Sequence, residues 1–337
     1  MKSNHQKFIA LWAFSESVFG GILHAMKIPF TGLFLSGFAV IFLSQIANTV
    51  ENKTDIIKST ITVIVIKALI SPNSPITAHF AVFIQGLFAF IFFASLRNNT
   101  LSIILLSLFS SIYSAFQKIF ITTILFGMTF WNSIDDFMKY VLKIFGVNHF
   151  NYSFSLILVI IYLLIHLFGA IFFAIITIRI PIWLEKNSPR FKDINEFVTP
   201  DEKINSQINF SKKRKKWYKK PSRVALLLFL VAISLLTVID SSLEKIKFID
   251  VMVMIVRASL ILFVWFKFIL PFTSRIVLFL VKKYNSLKFQ QVNESIDLFP
   301  LFKKIIAYSW KINSDKNGLY RIKNFFRDAF VLLLMKT

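Results

Sequence analysis

Five polar side chains stand inside stretches that are otherwise apolar: Lys67, His79, Gln85, Gln117 and Lys118. Cationic and amide donors gathered in an apolar, aromatic-walled space hold a small anionic or polar molecule through charge-assisted hydrogen bonds. Trp12, Tyr113 and Trp131 are the aromatic candidates for stacking on it. A charged lysine at mid-membrane depth costs about 2.5–3.5 kcal/mol on insertion scales. A chain that keeps one there uses it or pairs it. For Lys67 alone, a plainer reading is a loop position whose ammonium snorkels to the headgroups. Glu16 is the only carboxylate within the first six apolar runs. With His24 close by, it either forms a structural pair with one of the lysines or carries protons, and the structural pair is the simpler reading. His166 and Arg179 are weaker candidates, Arg179 being placed to snorkel.

A second pattern lies in the first apolar run. Ala13, Ser17, Gly21 and Ala25 recur every four residues and so fall on nearly one helix face. In lipid, small residues at this spacing let helices approach closely. The stripe serves packing within this chain or docking of a second membrane subunit. Catalytic signatures are missing: there is no Gly-x-Ser-x-Gly, HExxH or P-loop sequence. The expectation is therefore no enzyme, no metal and no cofactor, and ATP hydrolysis would need another chain. Asp135-Asp136 reads as a solvated helix cap on a loop.

The elements that must position these groups are membrane helices. The chain has 337 residues, 56% of them hydrophobic, including 41 phenylalanines, and a mean hydropathy of +0.66. Apolar runs approach the roughly 20 residues that cross a bilayer, and none alternates with period two as an outer-membrane barrel would. No cysteine is present, which excludes disulfides and thiolate sites. The first run lacks a small-x-small cleavage site and reads as a retained helix. Spans are expected at about 8–25, 33–49, 57–70, 76–96, 101–128 and 154–180. The chain is broken between the third and fourth at Pro72 and Pro75.

Net charge is +22 and unevenly placed. Residues 1–199 hold 14 lysines and arginines against 8 acids, and residues 200–337 hold 25 against 9. Basic loops mark the cytoplasmic side. Lys53, Lys58, Arg97 and the tract from Lys186 onward place both termini in the cytoplasm of a multi-pass protein of the cell (inner) membrane. Three regions follow: a six-helix domain over 1–184, a polar linker over 185–223, and a transmembrane hairpin with basic amphipathic helices over 224–337. The polybasic stretch 211–223 suits anionic headgroups or a regulatory partner. No nucleic-acid motif accompanies it. The hairpin comprises spans at about 224–239 and 251–269. Arg275–Tyr284 and Tyr320–Leu334 are amphipathic, the latter with Ile322, Phe325, Phe326 and Phe330 near one side, and are expected at the interface or on a partner.

Residues 8–184 resemble the substrate-binding (S) component of energy-coupling-factor transporters, within it the branch known as heptaprenyl diphosphate synthase component I-like. The resemblance rests on the Ala13–Ala25 stripe, Pro29-Phe-Thr-Gly-Leu33 leading into helix two, Val65-Ile-Lys-Ala-Leu-Ile-Ser71, Ala81-Val-Phe-Ile-Gln-Gly86 and Ser111-Ile-Tyr-Ser-Ala-Phe-Gln-Lys118. It implies an all-α, polytopic six-helix bundle that captures a micronutrient-like ligand from outside. It also implies a coupling subunit docked on the stripe and separate ATPase subunits that supply energy. Family members end after helix six, whereas this chain adds a hairpin and cytoplasmic amphipathic helices. A membrane scaffold that recruits a partner through that extension is the alternative.

Overall fold

The computed structural model describes residues 2–26, 30–71, 74–146, 152–191, 245–265, 267, 271–272 and 287–335. Among them the chain is helical, with no strand. The helices are α1 (Lys2–Phe14), a π-helical turn (Ser15–Phe19), α2 (Gly20–Ala25), α3 (Thr31–Thr49), α4 (Thr54–Ile70), α5 (Ile76–Ser95) and α6 (Asn99–Phe126). They continue with α7 (Met128–Ile144), α8 (Phe154–Asn187), α9 (Lys245–Val264), α10 (Leu287–Asp297), α11 (Phe299–Ile312) and α12 (Gly318–Leu334). Four are long and apolar enough to cross a membrane: Thr31–Thr49, Ile76–Ser95, Asn99–Phe126 and the stretch Phe154–Phe191. The protein is thus an all-α membrane protein. The expected first span is split by the π turn, and the third is α4, a 17-residue helix carrying Asp55, Lys58 and Lys67. The span expected at 224–239, the polybasic stretch 211–223 and the amphipathic stretch 275–284 lie outside the described residues.

The chain divides into two compact units. The first comprises Met1–Phe120, Leu156–Asp201 and Trp265–Thr337; the second comprises Ile121–Ser155 and Glu202–Val264. This partition does not follow the expected boundaries at 184 and 223. The reason lies in the first unit, where the last helices pack on the first. The Phe14 ring meets Phe299 and Phe302 edge-on at 5.2 and 5.9 Å. Lys7 Nζ donates to the Met335 carbonyl at 2.9 Å, closing the carbonyl end of α12, where a cation is favoured. Val292, Phe302 and Leu334 join Phe8, Trp12 and Ile46 in one core. Residues 287–335 are therefore part of the bundle. Of the face expected at the interface or on a partner, α12 leaves Ile322 and Phe326 exposed and half-buries Phe325 and Phe330, while it buries Asn324, Asp328, Val331 and Leu332. A polar seam decides this, with Asn313 Nδ2 donating to Asp328 Oδ2 at 2.9 Å and Arg327 Nε paired to Asp328 Oδ1 at 2.7 Å.

Small residues let the bundle close. Gly86 on α5 lies so near Thr60 on α4 that a Cβ there would collide with the threonine side chain, and Gly37 on α3 meets the Phe173 ring of α8 in the same way. Hydroxyls turn back onto their own helices, as Ser44 does to the Val40 carbonyl at 2.7 Å and Thr60 to that of Ile56 at 2.8 Å. No hydroxyl bonded in this way needs water.

At the N-terminal end of α1, ahead of the expected span, His5 ties three helices. Its Nδ1 lies 3.3 Å from Thr49 Oγ1 and its Nε2 3.3 Å from Ser59 Oγ. Burial holds this imidazole below its ordinary value, opposed in part by Asp55. The unfolded chain therefore takes up the proton first as pH falls, and stability drops on the acid side of the ordinary histidine range, about 6.5. Thermal unfolding from pH 8 to pH 5 is expected to show this loss in the native chain and a flatter profile in His5→Gln.

In the second unit, the residues expected on a loop around Asp135 and Asp136 form α7. Counting their charges hid the recurrence of Phe130, Ile134, Phe137 and Val141 at helical spacing. Gly127 turns the corner into it at φ 73°, a left-handed value that glycine adopts without strain. Asp135 accepts from the Ser155 N–H at 2.7 Å and from Ser153 Oγ at 2.9 Å, capping the start of α8. These bonds, that of the Ser155 amide first, hold its carboxyl below the usual range. The span expected at 251–269 falls on α9, which packs on α7.

Candidate functional site

The site is built on the π turn. Ser15–Phe19 widens the helix by one residue, with the Gly20 N–H bonded to the Ser15 carbonyl. Such turns are rare and concentrate where function needs a side chain re-aimed. Here the residue re-aimed is Glu16. Its Oε2 accepts from Lys67 Nζ at 2.7 Å, and the two side chains are 3% and 5% exposed. The lone carboxylate of the apolar runs and the lysine of α4 thus neutralise each other inside the bundle, as the cost of either charge alone requires. Ser71 Oγ bonds the Ser17 carbonyl at 3.1 Å, joining the end of α4 to the same turn.

Three of the five expected binding residues converge on the first turn of α5. Lys67 Nζ reaches the Ala78 carbonyl at 3.4 Å, Gln117 Nε2 donates to the Thr77 carbonyl at 2.7 Å, and His79 Nδ1 lies 3.2 Å from the Pro75 carbonyl. Gln85 is buried on the same helix, seven residues beyond Ala78 and hence on the same face. Lys118 does not join them; it is exposed, because its neighbour Gln117 takes the inward position on α6. The electropositive enclosure expected from Lys67, His79 and Lys118 is therefore not what the side chains form. Lys67 is spent on Glu16, and the centre is polar and close to neutral.

Several buried polar atoms near this pair have no protein partner: Glu16 Oε1, Ser17 Oγ, Trp12 Nε1 and Gln85 Oε1. Trp12 lies one turn before Glu16, and Gln85 two turns below the level of Ala78, roughly 10 Å at 1.5 Å per residue. They comprise two acceptors, an indole donor and a hydroxyl, carried by α1, the π turn and α5. Leaving such groups dry costs about 1–3 kcal/mol each, so water or a ligand group belongs beside them. Trp12 was legible in the sequence only as an aromatic wall, and its orphaned N–H carries no sequence signal. Tyr113 is half-buried on α6, and Trp131, in the second unit, donates its Nε1 to Thr123 Oγ1 at 2.9 Å.

His166, fully buried on α8, keeps its Nδ1 3.0 Å from the Tyr162 carbonyl, while its own carbonyl accepts from Ser111 Oγ at 2.8 Å. The first contact lies within α8, and the second joins α6 to α8. Arg179 is exposed. The small-residue stripe is not one outer face. Ala13 and Ser17 are buried within the chain, Gly21 is open with nothing near its Cβ position, and Ala25 ends α2 with its side chain outside the described residues. The π turn explains the split, since one extra residue rotates the positions after it away from those before it.

No protein-family model, curated protein or solved structure matches the chain.

Proposed function

We propose that this chain is a small-molecule-binding membrane subunit of a transporter, of the energy-coupling-factor S-component kind. In this reading its ligand sits on the polar column from Glu16 to Gln85. The observation that carries the reading is the buried Glu16–Lys67 pair on a π turn, with unpartnered acceptors and donors beside it. A bundle selected for stability alone would fill that place with apolar side chains. Because Lys67 is neutralised, a polar, uncharged or zwitterionic molecule bearing hydrogen-bond donors fits better than a simple anion: donors meet Glu16 Oε1 and Gln85 Oε1, and an acceptor meets Trp12 Nε1. Six spans with cytoplasmic termini, in the inner membrane, complete the reading. Separate ATPase subunits supply energy, and a coupling subunit docks near Gly21, the open member of the stripe.

Native mass spectrometry of the detergent-purified protein is expected to retain a vitamin-sized molecule. That molecule, added back, is expected to raise the thermal midpoint of the native chain and to leave Gln85→Leu unshifted. Gln85→Leu removes an orphaned acceptor while keeping the ion pair, so the loss reports binding and not collapse. A purified chain with no retained molecule, and no shift across a panel of polar micronutrients, would defeat the proposal.

A further inference from the structure

We propose that α7 is an interfacial membrane helix, its apolar face seated at the headgroup–acyl boundary of the leaflet where α6 emerges. The sequence supplies the first ground. At 100° per residue, Phe130, Ile134, Phe137, Met138 and Val141 fall on one side, and Asn132, Asp136, Lys139 and Lys143 on the other. Packing supplies the second. None of the residues of α7 is buried, and although α9 packs on it, Phe137 stays 62% exposed, Ile144 64% and Phe145, just past its end, 79%. A helix with that face in water would be one of the larger apolar patches a soluble surface carries.

Connectivity decides what covers the face. The helix is joined at its start, through Gly127 alone, to a membrane-crossing helix, and at its end, through a short segment, to another. Trp131 Nε1 bonded to Thr123 Oγ1 at 2.9 Å and Phe130 against Phe126 at 5.6 Å fold its first turn back onto the last turns of α6. Asp135 holds its middle to the start of α8. Both tethers fix α7 at the level where spans leave the hydrocarbon. Trp131 and Tyr140 are the residue types that favour that depth. Charge decides which lipids are needed. Asp135 and Asp136 balance Lys139 and Lys143, so insertion rests on apolar area and does not require anionic headgroups.

The chain has no cysteine, so single nitroxide labels report cleanly. Phe137→Cys, Ile144→Cys, Asp136→Cys and Lys143→Cys, all at exposed positions, are labelled in the full chain. They are then reconstituted in phosphatidylcholine vesicles with and without phosphatidylglycerol, at low and high salt. At 137 and 144, collisions with oxygen are expected to exceed those with an aqueous nickel chelate; at 136 and 143 the order reverses, and neither lipid charge nor salt changes this. Nickel access on both faces would place the helix in water and overturn the proposal. Low access to both reagents at 137 and 144 would show a protein cover, a second copy or another chain, and would overturn it equally. A pattern that appears only with phosphatidylglycerol at low salt would overturn the insensitivity to lipid charge. If either apolar-face variant fails to elute as a single species, Phe145→Cys reads the same face.

Discussion

Glu16→Ala and Lys67→Ala are each expected to destabilise the protein by about 3–5 kcal/mol, while the double replacement Glu16→Gln with Lys67→Met recovers most of that loss. The asymmetry follows from burial. With 3% and 5% exposure, neither charge is open to bulk water, so removing one partner strands the other in a medium that penalises it. Replacing both removes the desolvation cost together with the attraction. Thermal or denaturant unfolding of the purified single and double variants measures the coupling directly. Additive single losses, or singles that cost below about 1 kcal/mol, the range of exposed ion pairs, would mean that the two groups do not meet inside the bundle. If the polar column binds a ligand, the double variant should fold well and bind poorly. That separates what the pair does for stability from what it does for recognition.

The second large effect lies at the other end of the sequence. Phe302→Ala is expected to cost about 3–5 kcal/mol, the range for a fully buried phenylalanine. The loss should appear as lowered stability of the helices that precede residue 120, not as local fraying of α11. Phe302 is 0% exposed and shares one core with Phe8, Trp12 and Ile46, and its ring lies 5.9 Å from that of Phe14. Protease resistance or hydrogen exchange of α1 and α3 in the variant reads this out. Unchanged protection there would mean that the C-terminal helices form a separate body. Tyr320→Ala, at a 63% exposed position on α12, is the control and should be close to neutral.

Much of the architecture was legible because the bilayer imposes it. Apolar runs of sufficient length gave an all-α membrane protein, and α3, α5, α6 and α8 start and stop within a few residues of the expected spans, except that α8 runs on to Asn187. Pro181 stands in the interior of α8 without ending it, which is common where neighbouring helices steady the backbone. The first span was harder, because a π turn leaves no mark in composition and yet changes which residues share a face. Ala13 and Ser17 share one stripe with Gly21 in the sequence for that reason. The site was legible in its parts and not in its pairing: a lone carboxylate among lysines calls for a partner, but which lysine meets it depends on how α1 crosses α4. The C-terminal helices were read as accessory because their charge is conspicuous in sequence, whereas the apolar positions that fix them to α1 become a face only once they are helical.

The bond from Lys7 to the Met335 carbonyl and the rings of Phe14, Phe299 and Phe302 have a consequence for biosynthesis. The ribosome releases α1 nearly three hundred residues before the C-terminal helices that pack on it, so the side of α1 not covered by α3 and α4 stays bare while the residues between are translated. Nascent chains stopped short of residue 299 would expose that face to quality-control proteases. Maturation should then follow a single late step, timed by synthesis of residues 287–335 and not by insertion of any one hydrophobic segment.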